Sequence, residues 1–167
     1  MRDLITDLLE SERLAAGHSA LLTERVDLTA LVHEVAEASF AGRALRFELA
    51  GGLDAVTADP MRLRLLLRNL IDNALRHSAG AAEPPTVFLR RRDDGRIELG
   101  VRDHGPGVTD EQLRRLVEPF YRADSARTRS AGGVGLGLYL CRLVAQAHGG
   151  ELRIEHAAPG LRVAMQW

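Results

Sequence analysis

Asp59-Pro60-Met61-Arg62-Leu63-Arg64-Leu65-Leu66-Leu67-Arg68-Asn69-Leu70-Ile71-Asp72-Asn73-Ala74-Leu75-Arg76-His77 carries the clearest helical signal in the chain. An acidic cap and a proline in the first turn open it, and Leu63, Leu66, Leu67, Leu70 and Ile71 recur at helical spacing. Upstream, residues 44–50 alternate (Leu45, Phe47 and Leu49 against Arg46 and Glu48), which predicts a half-buried strand. Gly51-Gly52 turns that strand into a short one at 54–57. Downstream, strands at 86–92 and 96–102 flank Asp94-Gly95, a pair that favours a tight hairpin. An amphipathic helix at 136–148 ends at Gly149-Gly150, and Glu151–His156 with Leu161–Gln166 closes the chain as a hairpin around Pro159-Gly160. Hairpins demand antiparallel pairing, so the expected fold is α+β: a two-layer α/β sandwich with a mixed sheet covered by helices on one face. It is not a doubly wound nucleotide fold, because no glycine-rich turn follows the first strand and no P-loop lysine follows the glycines.

At the front of the chain, residues 3–22 read as a helix with Leu4, Ile5, Leu8 and Leu9 at helical spacing, Gly17 inside it and Leu21-Leu22 at its far end. Asp27 and Thr29 start a second helix bearing Leu28, Leu31, Val32, Val35 and Ala36 on one side. The 167 residues, 46% hydrophobic and 27% charged, suit one domain with a helical extension. A net charge of -1 gives no reason to expect a nucleic-acid partner. A single cysteine, Cys141, excludes an internal disulfide and a zinc site built on several cysteines. No apolar run approaches the roughly 20 residues that span a bilayer. The first seven residues carry charges where a signal peptide is apolar, so the expected location is cytoplasmic.

Four clusters carry chemistry. Asn69 and Asn73, four apart, project from one helix face, and with Arg76 one turn on they make an oxygen-and-cation set suited to a magnesium triphosphate. Asp103-His104-Gly105-Pro106-Gly107 stands where a strand ends. A carboxylate there accepts a hydrogen bond from the exocyclic amine of adenine and repels the carbonyl of guanine, while the glycines admit backbone close to the ring. Glu118-Pro119-Phe120-Tyr121-Arg122 puts two aromatics in a polar loop, expected to pin it to the body, with Arg122 free to reach phosphate. Gly132-Gly133-Val134-Gly135-Leu136-Gly137-Leu138 precedes a helix, whose first backbone amides form an anion site. Residues 103–135 are too long for a plain connection.

In this order, the clusters resemble the N, G1, F and G2 boxes of sensor histidine kinases, over residues 27–167. The resemblance implies a Bergerat-type ATP-binding fold, shared with DNA gyrase, heat-shock chaperone and mismatch-repair ATPases. It implies ATP and Mg2+, with Asn73 as the metal ligand and Asn69 beside it. Arg76 and Arg122 would face phosphate, and His77 would stand where an aromatic covers adenine. Asp103 would read the base, and Gly105 and Gly107 would line it. Residues 108–134 would form an ATP lid, and Gly133, Gly135, Leu136, Gly137 and Leu138 its hinge and phosphate-facing turn. Hydrolytic relatives carry a glutamate general base at the position of Asn69; an amide takes no proton from water, so transfer to histidine is expected over hydrolysis.

The resemblance further implies an acceptor histidine followed by an acidic residue. Of six histidines only His33-Glu34 begins so, inside a helix that in the family belongs to the catalytic domain, and His33 is read as a surface residue. Residues 1–26 resemble the end of the second dimerisation helix and its linker. The implied partners are therefore a histidine-bearing dimerisation helix outside this chain and a response regulator. The full-length kinase is expected to be a homodimer anchored in the membrane, and this segment a monomer. Two alternatives stay open: an ATP-binding regulatory module that performs no transfer, and a switch kinase acting on a partner's serine.

Overall fold

The computed structural model describes residues 20–53, 55–123 and 135–167. Its sheet has five strands in the order β2 (Arg46–Leu49), β4 (Thr86–Arg91), β5 (Ile97–Arg102), β7 (Leu161–Gln166) and β6 (Glu151–His156). β2 runs parallel to β4 and every other pair is antiparallel, so the sheet is mixed as its hairpins require. Three helices form the second layer: α1 (Leu28–Phe40), α2 (Pro60–His77) and α4 (Gly137–Ala147). The N-caps are those written in the sequence. Asp27 accepts from the amide of Ala30 at 3.0 Å, and Asp59 accepts from those of Met61 and Arg62 at 3.0 and 3.1 Å.

The core lies between the layers. Leu63, Leu66, Leu67, Leu70 and Ile71 of α2 meet Val87, Leu89, Leu99, Val101, Val163 and Met165 of the sheet, all buried. Each such side chain is worth roughly 1.5–3 kcal/mol removed from water. Alternate residues point the other way, where Phe88, Gly100 and Ala164 stand in register on the face away from the helices. There Arg90 and Arg162 lie over the Phe88 ring at 5.8 and 4.4 Å, and Glu98, 2% exposed, gathers Arg90, Arg92, Arg162 and Gln166. The only tryptophan, Trp167, closes the far end of the sheet, its backbone paired with Ile97.

Several expectations need correction. Leu21 and Leu22 are not helical; the chain has no regular structure there and then enters β1 (Glu24–Val26), which pairs antiparallel with β3 (Val56–Ala58). The amide of Leu22 is held by the carboxylate of Asp59 at 3.0 Å, a tertiary contact that helical periodicity does not reveal. The expected helix over residues 3–19, with Gly17, and the beginning of the strand expected at 54–57 lie outside the described residues. β2 is an edge strand, so Phe47 is 38% exposed instead of half-buried by a second neighbour. The 103–135 connection contains a short helix, α3 (Asp110–Arg115), closed by a Thr109–Gln112 capping box. The sequence signal was Thr-x-x-Gln itself.

Asp59 ties three elements at the end of α2 away from Asn73. Besides capping α2 and holding Leu22, its own amide donates to Nε2 of His148 at 3.0 Å, while Nδ1 of His148 donates to the carbonyl of Val144 at 2.8 Å. These two bonds require the neutral imidazole with its proton on Nδ1. His148 thus joins the end of α4 to the start of α2.

Candidate functional site

The opposite end of the α2–α4 pair brings the chemical clusters together. Asn69 is half-buried; its Nδ2 donates to the Leu65 carbonyl at 2.9 Å. Its Oδ1 lies 3.0 Å from where a side chain on Gly137 would begin, so the first turn of α4 rests against the asparagine face of α2. A Cβ there would make the Asn69 amide give way by a few tenths of an ångström. Asn73, half-buried one turn on, makes no side-chain hydrogen bond among the described residues. Arg76 is turned onto Asp72 as an i,i+4 ion pair, and His77 is exposed. Arg122 is exposed, without an ion pair among the described residues.

The start of α4 has the character expected of an anion site. Leu136 takes the N-cap position with a helical backbone and offers no side-chain cap, so among the described residues the first amides of the helix have no side-chain acceptor. Leu136 itself is 3% exposed, so its side chain belongs to the interior and only its backbone is available. Leu138 packs against the core. Gly135 has a φ of +79° and would collide through any Cβ with the Tyr121 carbonyl at 2.7 Å, while its own carbonyl accepts from Phe120 at 2.9 Å. Gly133 lies outside the described residues.

That backbone clamp corrects the reading of the aromatic pair. Phe120 does not pin the loop with its ring; with φ at +65° and its amide bound to Gly135, it turns its side chain out and is 60% exposed. Tyr121 instead lies under the guanidinium of Arg115 at 4.2 Å. Gln112 adds a second tie, donating to the Ala123 carbonyl at 3.0 Å.

Asp103, at the end of β5, is 7% exposed. Its Oδ1 accepts from the amide of Gly105 at 2.9 Å, and its Oδ2 makes no hydrogen bond among the described residues. Gly105 sits against the His77 carbonyl, 2.5 Å from an added Cβ, so the base of this loop rests on the end of α2. Gly107, at φ +73°, faces the Gly160 carbonyl. Two neighbours escaped the sequence reading. Ser78 had no signal beyond following the helix, and Gly160 was legible only as a turn residue. His156, the last residue of β6, reaches Asp110 at the start of α3 at 2.8 Å. His33 is exposed as expected, its ring 5.2 Å from Phe47.

The arrangement is one end of a two-layer sandwich that presents, among the described residues, the spare Oδ2 of Asp103, the unpartnered side-chain amide of Asn73 and a start of α4 without a side-chain cap. It fits a nucleotide in both its parts: acceptor for a base, donors and amide oxygen for phosphate and a hard cation. Among the described residues no group of three or more histidine, cysteine or acidic side chains forms a metal cluster, so a cation here would rely on amide and phosphate oxygens. None of the helices searched among those residues is long and apolar enough to cross a membrane.

Comparison with known proteins converges on one family. A family profile described as histidine kinase-, DNA gyrase B-, and HSP90-like ATPase matches residues 58–166. The signal transduction histidine-protein kinase AfsQ2 of Streptomyces coelicolor is 36% identical over 96% of this chain and 29% of its own length. BaeS of Escherichia coli, also a signal transduction histidine-protein kinase, is 34% identical over 94% of this chain and 34% of its own. The chain thus spans about a third of the length of these relatives. Among solved structures, full-length ShkA in complex with AMPPNP superposes with a TM-score of 0.81 at 28% identity, covering 98% of this chain and 34% of that one. The mycobacterial sensor histidine kinase MprB gives 0.69 at 29% identity, covering 87% and 96%. The chain belongs to the histidine kinase-, DNA gyrase B- and HSP90-like ATPase family, and within it to the ATP-binding catalytic domains of histidine kinases.

Proposed function

We propose that this domain binds ATP with Mg2+ and delivers the γ-phosphoryl group to a histidine on a dimerisation helix, for onward transfer to an aspartate of a response regulator. The observation that carries the reading is the contact of Asn69 with Gly137, which joins the asparagine face of α2 to the uncapped start of α4. Asn73 would hold the cation through its amide oxygen, with Asn69 beside it. Bound there, the cation would draw charge off the phosphate oxygens. The α4 amides, with Gly133, Gly135 and Gly137 in the turn, would cradle the phosphates. Asp103 would accept from the adenine amine through Oδ2, with Gly105 and Gly107 beneath the ring and His77 at its edge. Arg76, released from Asp72, and Arg122 would balance charge as the phosphoryl group departs.

The amide of Asn69 cannot deprotonate water, so nothing at that position recruits it as nucleophile. An imidazole brings its own lone pair and needs only to be positioned in line. Residues 108–134 would act as the lid, and residues 1–26 as the end of the second dimerisation helix and its linker. In the cell the domain would work on the cytoplasmic side of a membrane-anchored homodimer.

The test is to mix the chain with Mg-ATP and a separately prepared histidine-bearing dimerisation unit of the full-length kinase. Acid-labile, base-stable phosphate on the histidine of that unit is expected. Phosphate appearing on His33 of this chain, or on a serine, would overturn the reading. ATP binding with no transfer to any partner would favour a regulatory module.

A further inference from the structure

We infer that Ser78 and Gly160 are positioning residues that fix the orientation of the Asp103 carboxylate and thereby set the discrimination of adenine from other bases. The inference rests on the base-reading role proposed for Asp103. The two residues approach from different elements. Ser78, the C-cap of α2, is 8% exposed, and its Oγ accepts from the amide of His104 at 3.0 Å. Gly160, at the tip of the β6–β7 hairpin with φ at +85°, lies close against the aspartate. A Cβ built there would stand 2.1 Å from the Asp103 carbonyl oxygen and 2.6 Å from Oδ1.

The hairpin tip is itself fastened to the end of β5. The amide of Asp103 donates to the Leu161 carbonyl at 2.9 Å, and Nη2 of Arg102 donates to the Ala157 carbonyl at 3.0 Å. The backbone just after Asp103 is therefore tied to α2 by the Ser78–His104 bond, and Asp103 itself is met by backbone that only glycine brings so close. Held so, Oδ1 is committed to the amide of Gly105, which leaves Oδ2 as the oxygen for a ligand. Tilting the carboxylate plane or changing the side-chain rotamer would withdraw Oδ2 from the ligand. Losing either contact permits that movement, and the base contact weakens while the phosphate contacts at α4, on a separate element, do not.

ATP and ITP separate these effects, because sugar and triphosphate are identical while the Watson–Crick edge changes from an amine donor beside a bare N1 to a carbonyl beside an N1–H. Calorimetry of the 167-residue chain with magnesium should show ATP binding about tenfold or more tighter than ITP, the worth of a hydrogen bond to a charged acceptor. Ser78→Ala should lower ATP affinity and leave ITP affinity unchanged, so that the ratio falls. Ser78→Thr, which keeps the hydroxyl, should restore the ratio. Gly160→Ala should bring the ratio near one. A general loss of folding lowers both affinities together, and thermal unfolding without nucleotide monitors it; if Gly160→Ala does not fold, the two Ser78 variants still decide. Equal losses for both nucleotides in Ser78→Ala, or a ratio unchanged from the parent, overturn the inference. A parent that binds ATP and ITP alike removes the base-reading role of Asp103 itself, before any variant is made.

Discussion

Asp103 and Asn73 ask for opposite tests. Asp103→Asn preserves shape but offers the adenine amine a neutral acceptor, or turns a donor toward it. ATP affinity should fall by about 1.5–3 kcal/mol, roughly tenfold or more, in calorimetry; an unchanged affinity would place the base elsewhere. Asn73 has no side-chain partner among the described residues, so Asn73→Ala should leave thermal unfolding of the ligand-free domain almost unmoved while abolishing the magnesium dependence of ATP binding. A large loss of stability in that variant would mean the residue serves the fold. Both residues stand out in the sequence because each breaks a local rule: an amide on a leucine-rich helix, a carboxylate at a strand end before glycines. Ser78 and Gly160 obey local rules, as helix end and turn, and only tertiary contact gives them a further task. Phe120 misled for a related reason. An aromatic in a polar loop suggests an anchor, but a backbone clamp from Gly135 holds that segment and frees the ring.

The open face of the sheet carries a buried charge whose consequence is measurable. Burial alone would lift the carboxyl of Glu98, but its bonds to Arg90 and Gln166 and the nearby charge of Arg162 outweigh burial and hold it below the ordinary carboxylate range. A carboxyl depressed in the folded state contributes stability that is full above its unfolded value and is lost as pH falls through the folded one. Urea unfolding should therefore show the parent losing stability relative to Glu98→Gln as pH drops below about 4.3. A constant difference across that range would deny the linkage. Glu98→Ala at neutral pH should cost about 3 kcal/mol, because three arginines are left facing one another. The second element-level expectation concerns α3. Its six residues include no buried one, and it is held by a capping box, the Gln112–Ala123 tie and the His156–Asp110 contact. Such a helix opens easily, so amide exchange over Asp110–Arg115 should slow when a nonhydrolysable ATP analogue is added. Identical exchange with and without the analogue would separate this segment from nucleotide binding. The sheet, the α2 and α4 helices and both late hairpins were written in the chain as period and punctuation. β1 was not, since three residues carry too little pattern and its pairing with β3 depends on contacts across the fold.

Across the whole domain, α2 connects two ends with different duties. An 18-residue helix is about 27 Å long, so the Asp59–His148–Leu22 junction and the Asn73 face lie at the two ends of one rod. The order and wording of the four clusters were enough to name the family. What sequence could not supply was how those clusters are fastened to one another. The single tryptophan offers a practical return on this layout. Trp167 is bonded to the Ile97 end of β5, while Asp103 follows the other end, about 20 Å away along the strand. Its intrinsic fluorescence should therefore shift on unfolding yet stay dark to nucleotide binding, an optical channel in which stability can be titrated at any ATP concentration without a label.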